Sequence, residues 1–241
     1  MLLTSGIDIK YKLVSTKILT YHNVGKPPKE AKLKTLFVAK EQLKRQLKLL
    51  KFMGFDFLSL RDLLLNKKVK KGVLLTFDDA YLDFWGKALP IFMELKVRSV
   101  IFVPVALVGS YNQWDYDRIR IKKPIMNWEH IKELHSLGFE IGSHSLTHPY
   151  LSKIDPQKAW EEIYTSKVIL EDKLGTEIKA FCYPYGDYSQ QVRDMVQRAG
   201  YSIAFTTRHG SFEESENFFE VRRITIFGND FLPKFLYKVL V

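Results

Sequence analysis

One cysteine, Cys182, occurs in 241 residues. An intramolecular disulfide is excluded, as is any zinc-finger arrangement drawing several thiolates from one chain, while a single thiol leaves the compartment undecided. No run approaches the roughly 18 uninterrupted apolar residues of a membrane-spanning helix. The opening Met1-Leu-Leu-Thr-Ser-Gly-Ile-Asp-Ile-Lys10 lacks the basic start and long apolar stretch of a secretory signal. As encoded, the chain is expected in the cytoplasm, with the cell envelope as the alternative. No Gly-x-Gly-x-x-Gly or phosphate-loop pattern follows an apolar run, which argues against dinucleotides and nucleoside triphosphates. Repeats, low-complexity tracts and linker-like segments are missing too, so residues 1–241 read as a single domain.

Acidic charge is in deficit: 37 Lys and Arg stand against 27 Asp and Glu, a formal charge of +10. No base-stacking or groove-reading motif accompanies the excess, so nucleic acid is not an expected partner. The lysines spread over helix faces such as residues 30–51, and the dense cluster Asn66-Lys-Lys-Val-Lys-Lys-Gly72 leads into an apolar run rather than out of one. What the charge leaves open is peripheral attraction to anionic surfaces of the cell envelope.

The 46% of hydrophobic residues suffices for a substantial core and excludes a disordered chain. Short β-prone runs at 17–21, 55–58, 72–77, 99–103, 139–143, 177–182, 201–206 and 221–227 alternate with helical spacing at 38–53, 81–95, 128–137, 156–174 and 189–199. Asn127, Asp155-Pro156 and Ser189 read as helix starts, and Gly54, Gly138, Gly175 and Gly200 as stops. Such alternation predicts a mostly parallel sheet or barrel. Residues 104–124 show no period and read as a long loop able to line a site, with Tyr111, Trp114 and Tyr116 available to stack on sugar rings.

Two apolar runs end in chemistry. Phe139-Glu-Ile-Gly-Ser-His-Ser-Leu-Thr-His148 leads into two histidines four residues apart, which a helical turn over 144–148 would bring to one face. Val73-Leu-Leu-Thr-Phe-Asp-Asp79 ends in adjacent carboxylates. Each pattern alone is weak, because a histidine pair is often solvated and Asp-Asp often caps a turn. Together, at the strand ends where parallel α/β proteins build their sites, they point to a metal centre.

Thr76-Phe-Asp-Asp79, Ser143-His-Ser-Leu-Thr-His148 and Phe181-Cys-Tyr-Pro-Tyr-Gly186 resemble, in order and spacing, the polysaccharide deacetylases of carbohydrate esterase family four, over about residues 17–227. The resemblance implies an α/β fold: a distorted (β/α) barrel with fewer than eight complete strands, similar to a TIM barrel. It also implies a metal-dependent hydrolase that removes N-acetyl groups from N-acetylglucosamine units of a poly- or oligosaccharide. Asp79, His144 and His148 would hold a divalent metal, zinc first and cobalt, nickel, manganese or iron as alternatives. Asp78 would be the general base, and the main-chain N–H of Tyr185 would face the oxyanion. The chain departs from the common pattern in two places. No late Leu-x-His motif supplies the general acid, which leaves His22 in Tyr21-His-Asn-Val24, the favoured candidate, and His209, with His130 and His135 expected to be solvated. Cys182 stands where an arginine usually orients the base, and Arg223 fits that role better than Arg222. Two alternatives stay open: hydrolysis of another amide, such as a lipid-linked formamido sugar or a cyclic imide, and a domain that binds glycan or metal without turnover.

Overall fold

A computed structural model describes residues 15–67 and 69–240. Seven strands make the barrel wall, all in parallel pairs: β1 (Ser15–Tyr21), β5 (Lys71–Phe77), β6 (Val100–Val103), β7 (Glu140–Ser143), β8 (Ala180–Cys182), β9 (Ile203–Phe205) and β10 (Ile224–Thr225). Their order is β10-β1-β5-β6-β7-β8-β9, with the short β4 (Asp56–Phe57) also paired to β5. An isolated parallel bridge between Phe205 and Val221 joins the approach to β10 back to β9. One segment, 221–225, thus touches β9 at one end and β1 at the other, closing a distorted (β/α) barrel. A separate pair, β2 (Asn23–Val24) with β3 (Phe37–Val38), anchors the loop after β1.

Alternation along the strands sorts side chains into two cores. Ile18, Leu74, Val100, Phe102, Ala180, Cys182, Ile203, Phe205 and Val221 form the smaller, inside the barrel. Leu19, Val73, Leu75, Phe77, Ile101, Val103, Ile141, Phe181 and Ala204 join the larger, between sheet and helices. The narrow interior is filled by Phe102 against Gly142, where a Cβ would stand 2.5 Å from the Phe102 ring, so only glycine fits.

The helices follow their caps. Pro156–Leu174 (α6) starts on Asp155, whose carboxylate accepts from the N–H groups of Gln157 and Lys158, and stops at Gly175 with φ 65°. Asn127 caps the helix Trp128–Ser136, and Ser189 caps Gln190–Arg198. The expected helix over 81–95 divides into a π-type stretch, Phe84–Ala88, and an α-helix, Leu89–Leu95. Pro90 is the cause: with no N–H it cannot bond four residues back. The loop at 104–124 holds short helical turns, among them Gln113–Asp115 and Tyr116–Ile119. No helix among the described residues is long and apolar enough to cross a membrane.

Candidate active site and metal centre

Alternation also decides which polar side chains reach the upper, C-terminal end of the barrel. In β5 the inward set that includes Leu74 and Thr76 continues to Asp78, and in β7 the set of Gly142 continues to His144. At the closing segment, Arg223 follows inward Val221 while Ile224 joins the outer core. Arg223 and Asp78 therefore meet inside the barrel, although 145 residues separate them in sequence.

Arg223 is 1% exposed, and every guanidinium N–H is used. Nη1 donates to Asp78 Oδ1 at 2.8 Å and Thr76 Oγ1 at 3.2 Å; Nη2 donates to Asp78 Oδ2 at 2.8 Å and Cys182 Sγ at 3.1 Å; Nε donates to the Thr206 carbonyl at 2.9 Å. Burial pushes the Asp78 carboxyl up, but the charge and paired hydrogen bonds of Arg223 outweigh it and hold Asp78 below the usual carboxylate range. Of the two arginines in Val221-Arg-Arg, the barrel interior receives Arg223, whereas Arg222 reaches out to the His209 carbonyl.

Asp79 lies just beyond the strand, where Asp79 and Ala80 take φ of 71° and 48°, a left-handed pair that few non-glycine residues adopt. Its Oδ1 sits 3.5 Å from His144 Nε2 and 3.4 Å from His148 Nε2. His144 Nδ1 donates to the Cys182 carbonyl at 2.7 Å, which leaves the Nε2 lone pair for a ligand. Burial depresses His144 to about 4 and His148 well below the ordinary range, so both rings are neutral. Burial, then the charges of Asp78 and Asp115, pushes Asp79 well up.

The turn expected at 144–148 is not helical. Ser145 and His148 have φ of 63° and 64°, and the loop is pinned by side chains. Ser143 Oγ accepts from Ser145 N–H, Ser145 Oγ from His148 N–H, and the Glu162 carboxylate from the N–H groups of Leu146 and Thr147. These local acceptors replace the carbonyls of a helix. The rings still converge, because His144 arrives from the strand and His148 folds back over it.

Asp79, His144 and His148 offer donor atoms within 4.8 Å of one another. Bonds of roughly 2.0–2.1 Å in a tetrahedral arrangement separate ligands by about 3.3 Å, close to the observed spacings, so the set fits a divalent cation. A second grouping, Asp78 with His144 and Cys182, meets the same distance limit but does not fit. Both Asp78 oxygens are engaged by Arg223, and burial pushes the Cys182 thiol well up, away from the thiolate a metal needs.

A cavity of about 340 Å³ opens onto these groups, walled by Trp114, Tyr150, Tyr183 and Tyr185. His22 lines it, with Nε2 3.9 Å from Asp78 Oδ2. Burial lowers its pKa while the Asp78 charge opposes the fall. His209 is exposed, in a groove with Lys17, Ser211 and Lys234 that does not reach Asp78. Tyr185 has φ 58° between Pro184 and Gly186. Its ring lies on Tyr150 (3.9 Å between centroids, 7° between planes), its hydroxyl donates to the Trp114 carbonyl at 3.4 Å, and its main-chain N–H donates to no acceptor among the described residues.

Of the three aromatics in the 104–124 loop, Trp114 lines the site, stacked on His148 at 4.6 Å, while Tyr111 and Tyr116 contact each other. Asp115, Arg118 and Tyr150 line the cavity as well, although sequence reasoning did not single them out. Asp115 and Arg118 belong to the charged, aromatic 104–124 loop, and Tyr150 lies two positions after His148.

A parallel barrel thus carries, at its C-terminal rim, buried aspartates and histidines of a kind able to hold a metal ion. The sequence profile of the polysaccharide deacetylase family matches residues 66–204, over half of the chain, and the chain belongs to that family. The putative polysaccharide deacetylase YxkH of Bacillus subtilis is 24% identical over 214 residues, spanning 87% of this chain and 70% of that protein. Poly-β-1,6-N-acetyl-D-glucosamine N-deacetylase of Staphylococcus aureus is 26% identical over 248 residues, 92% of this chain and 82% of that one. Among solved structures, the Streptococcus pyogenes deacetylase PplD in complex with acetate matches with a TM-score of 0.81 at 26% identity, covering 94% of this chain and 98% of that one. IcaB from Ammonifex degensii, at 22% identity and a TM-score of 0.80 over 95% of this chain and 98% of its own, shares the fold.

Proposed function

We propose that this protein is a metal-dependent hydrolase that removes N-acetyl groups from N-acetylglucosamine units of a poly- or oligosaccharide. One observation carries the reading: a buried two-histidine, one-carboxylate donor set shares its cavity with a second carboxylate held ionised by Arg223. The family membership and the N-deacetylase activity named for the staphylococcal relative support it.

Asp79, His144 and His148 would hold a divalent cation, zinc being best suited to two imidazoles and one carboxylate, which would supply a Lewis acid and lower the pKa of water to about 7. Asp78 stays ionised because of Arg223 and takes the proton of the attacking water. The Tyr185 N–H, fixed by the left-handed turn between Pro184 and Gly186, donates to the oxyanion that develops on the amide carbonyl. His22 Nε2 lies within 3.9 Å of Asp78 Oδ2, so the proton collected there has a short path through His22 to the departing amine. The aromatic walls take the apolar faces of a sugar ring.

The test is acetate release from β-1,6- and β-1,4-linked N-acetylglucosamine oligomers by zinc-loaded protein, with Asp78→Asn alongside. Release that disappears on chelation and falls at least about 10²-fold in the variant is expected. Undiminished release after complete metal removal refutes the mechanism, and no release from either oligomer refutes the substrate class.

A further inference from the structure

We propose that the rim of the active-site cavity binds an anionic stretch of glycan, so that the substrate class is a negatively charged polymer containing N-acetylglucosamine rather than a neutral one. The inference rests on the deacetylase reading above and specifies its substrate.

Two segments contribute to this rim. Residues 25–36 follow β2, and residues 114–123 carry the turns after Asn112. Between them they hold eight Lys and Arg against three Asp and Glu in 22 positions, whereas the whole chain has 37 Lys and Arg in 241. The segments are joined: Lys32 N–H donates to the Ile119 carbonyl at 3.1 Å. Both reach the cavity, the first through Leu36 and the second through Trp114, Asp115 and Arg118. Five of the chain's ten excess positive charges therefore lie in two joined segments that reach the cavity.

Pairing sharpens the asymmetry. Arg118 is taken by Asp115 and Lys123 by Asp83. Lys26, Lys29, Lys32, Lys34, Arg120 and Lys122 are exposed and have no ion-pair partner among the described residues. Glu30 and Asp117 are the exposed acids of the two segments. Six solvated cations against two acids leave a local positive field that attracts polyanions and weakens with salt.

The surroundings select a glycan among polyanions. A membrane surface would call for apolar side chains able to insert, yet Tyr116, at 39% exposure, is the one exposed large apolar residue of the two segments. Single-stranded nucleic acid would need open stacking platforms, but Lys122 lies over the rings of Tyr111 and Tyr116, at 4.7 and 5.9 Å. An extended glycan with one N-acetylated unit in the cavity lays neighbouring units across the rim, where carboxylate or phosphate substituents meet these cations.

The experiment compares zinc-loaded protein with a Lys29→Glu, Lys32→Glu, Lys34→Glu triple variant, none of these lysines belonging to the catalytic machinery. Binding is measured by calorimetry for neutral β-1,6-linked N-acetylglucosamine oligomers, for alternating N-acetylglucosamine–glucuronate oligomers of equal length, and for phosphatidylserine vesicles, with acetate release followed in parallel. The expected result is about tenfold tighter binding of the anionic oligomer at about 50 mM salt, lost at about 500 mM and lost in the variant, with release from the neutral oligomer unchanged. Equal affinities for the two oligomers, or an unaltered preference in the triple variant, overturn the proposal. Tighter binding to vesicles than to the anionic oligomer overturns it in favour of a membrane. A salt-sensitive anionic preference without acetate release from any glycan upholds the rim and refutes the deacetylase reading instead.

Discussion

Replacing Arg223 with methionine removes the one permanent cation that Asp78 touches among the described residues. The guanidinium also lies over the rings of Phe102 and Phe205, at 5.7 and 5.9 Å; methionine is of similar length and apolar, so the loss is chiefly electrostatic. A buried carboxylate left alone costs about 3–5 kcal/mol, and Asp78 is only 3% exposed. The pH dependence carries a sign. In the wild type the folded-state pKa of Asp78 lies below its ordinary 3.8, so the pair contributes stability that is present above that pH and is lost as pH falls through the folded value. In the variant, burial prevails and the folded pKa rises above 3.8, so acidification relieves the penalty and the deficit shrinks as pH falls. Urea unfolding followed by tryptophan fluorescence at pH 5, 6 and 7.5 measures the deficit and its shrinkage. The same change moves the acidic limb of kcat/KM to higher pH, because the base is then protonated over a wider range. Adding Asp78→Asn to the variant should recover part of the lost stability, since the stranded charge is gone. A variant within about 1 kcal/mol of the wild type at pH 7.5, with a parallel pH profile, would refute the assignment of Arg223 as the group that keeps the base ionised.

Trp114 stacks on His148, whose Nδ1 is buried and, beyond the residue's own main-chain carbonyl, meets no hydrogen-bond partner among the described residues. Trp114→Ala should therefore weaken zinc retention about tenfold in chelator competition, and Trp114→Phe much less; equal retention by the two removes the orienting role. Gly186 has φ 71°, and a Cβ there would stand 2.0 Å from Thr207 Oγ1. Gly186→Ala is expected to cost about 1–3 kcal/mol in thermal unfolding, with partial recovery on adding Thr207→Ala. Burial pushes the Cys182 thiol well up, so native protein at pH 8 should resist a thiol reagent and take up one equivalent after denaturation; rapid labelling of folded protein would contradict the burial.

Much of this was legible because it depends on local rules. Asn127, Asp155 with Pro156, and Ser189 announce helix starts, and each side chain bonds the N–H groups it should. Asp78, Asp79, His144 and His148 sit directly after apolar strands, where parallel architecture puts chemistry. The four-residue spacing of the histidines predicts a helical turn, but the side chains of Ser143, Ser145 and Glu162 offer the backbone an alternative to a helix. The strand expected at 221–227 shrinks to Ile224–Thr225, and that at 177–182 to Ala180–Cys182, because pairing depends on neighbours distant in sequence. Asp115, Arg118 and Tyr150 carried no motif, and only the fold of the 104–124 loop and the turn after His148 brings them to the cavity.

Placing Arg223 on the closing segment has a consequence for biosynthesis. Asp78 leaves the ribosome long before its partner, and the barrel cannot seal between Phe205 and Leu19 until residues 221–225 exist. A nascent chain therefore carries its two aspartates and two histidines without the cation that keeps one of them ionised. Contacts spanning 145 residues are slow to form, so the Asp78–Arg223 pair forms late. Premature termination upstream of residue 221 would yield a species that holds both histidine-bearing and aspartate-bearing strands but lacks the Arg223 guanidinium that pairs with Asp78.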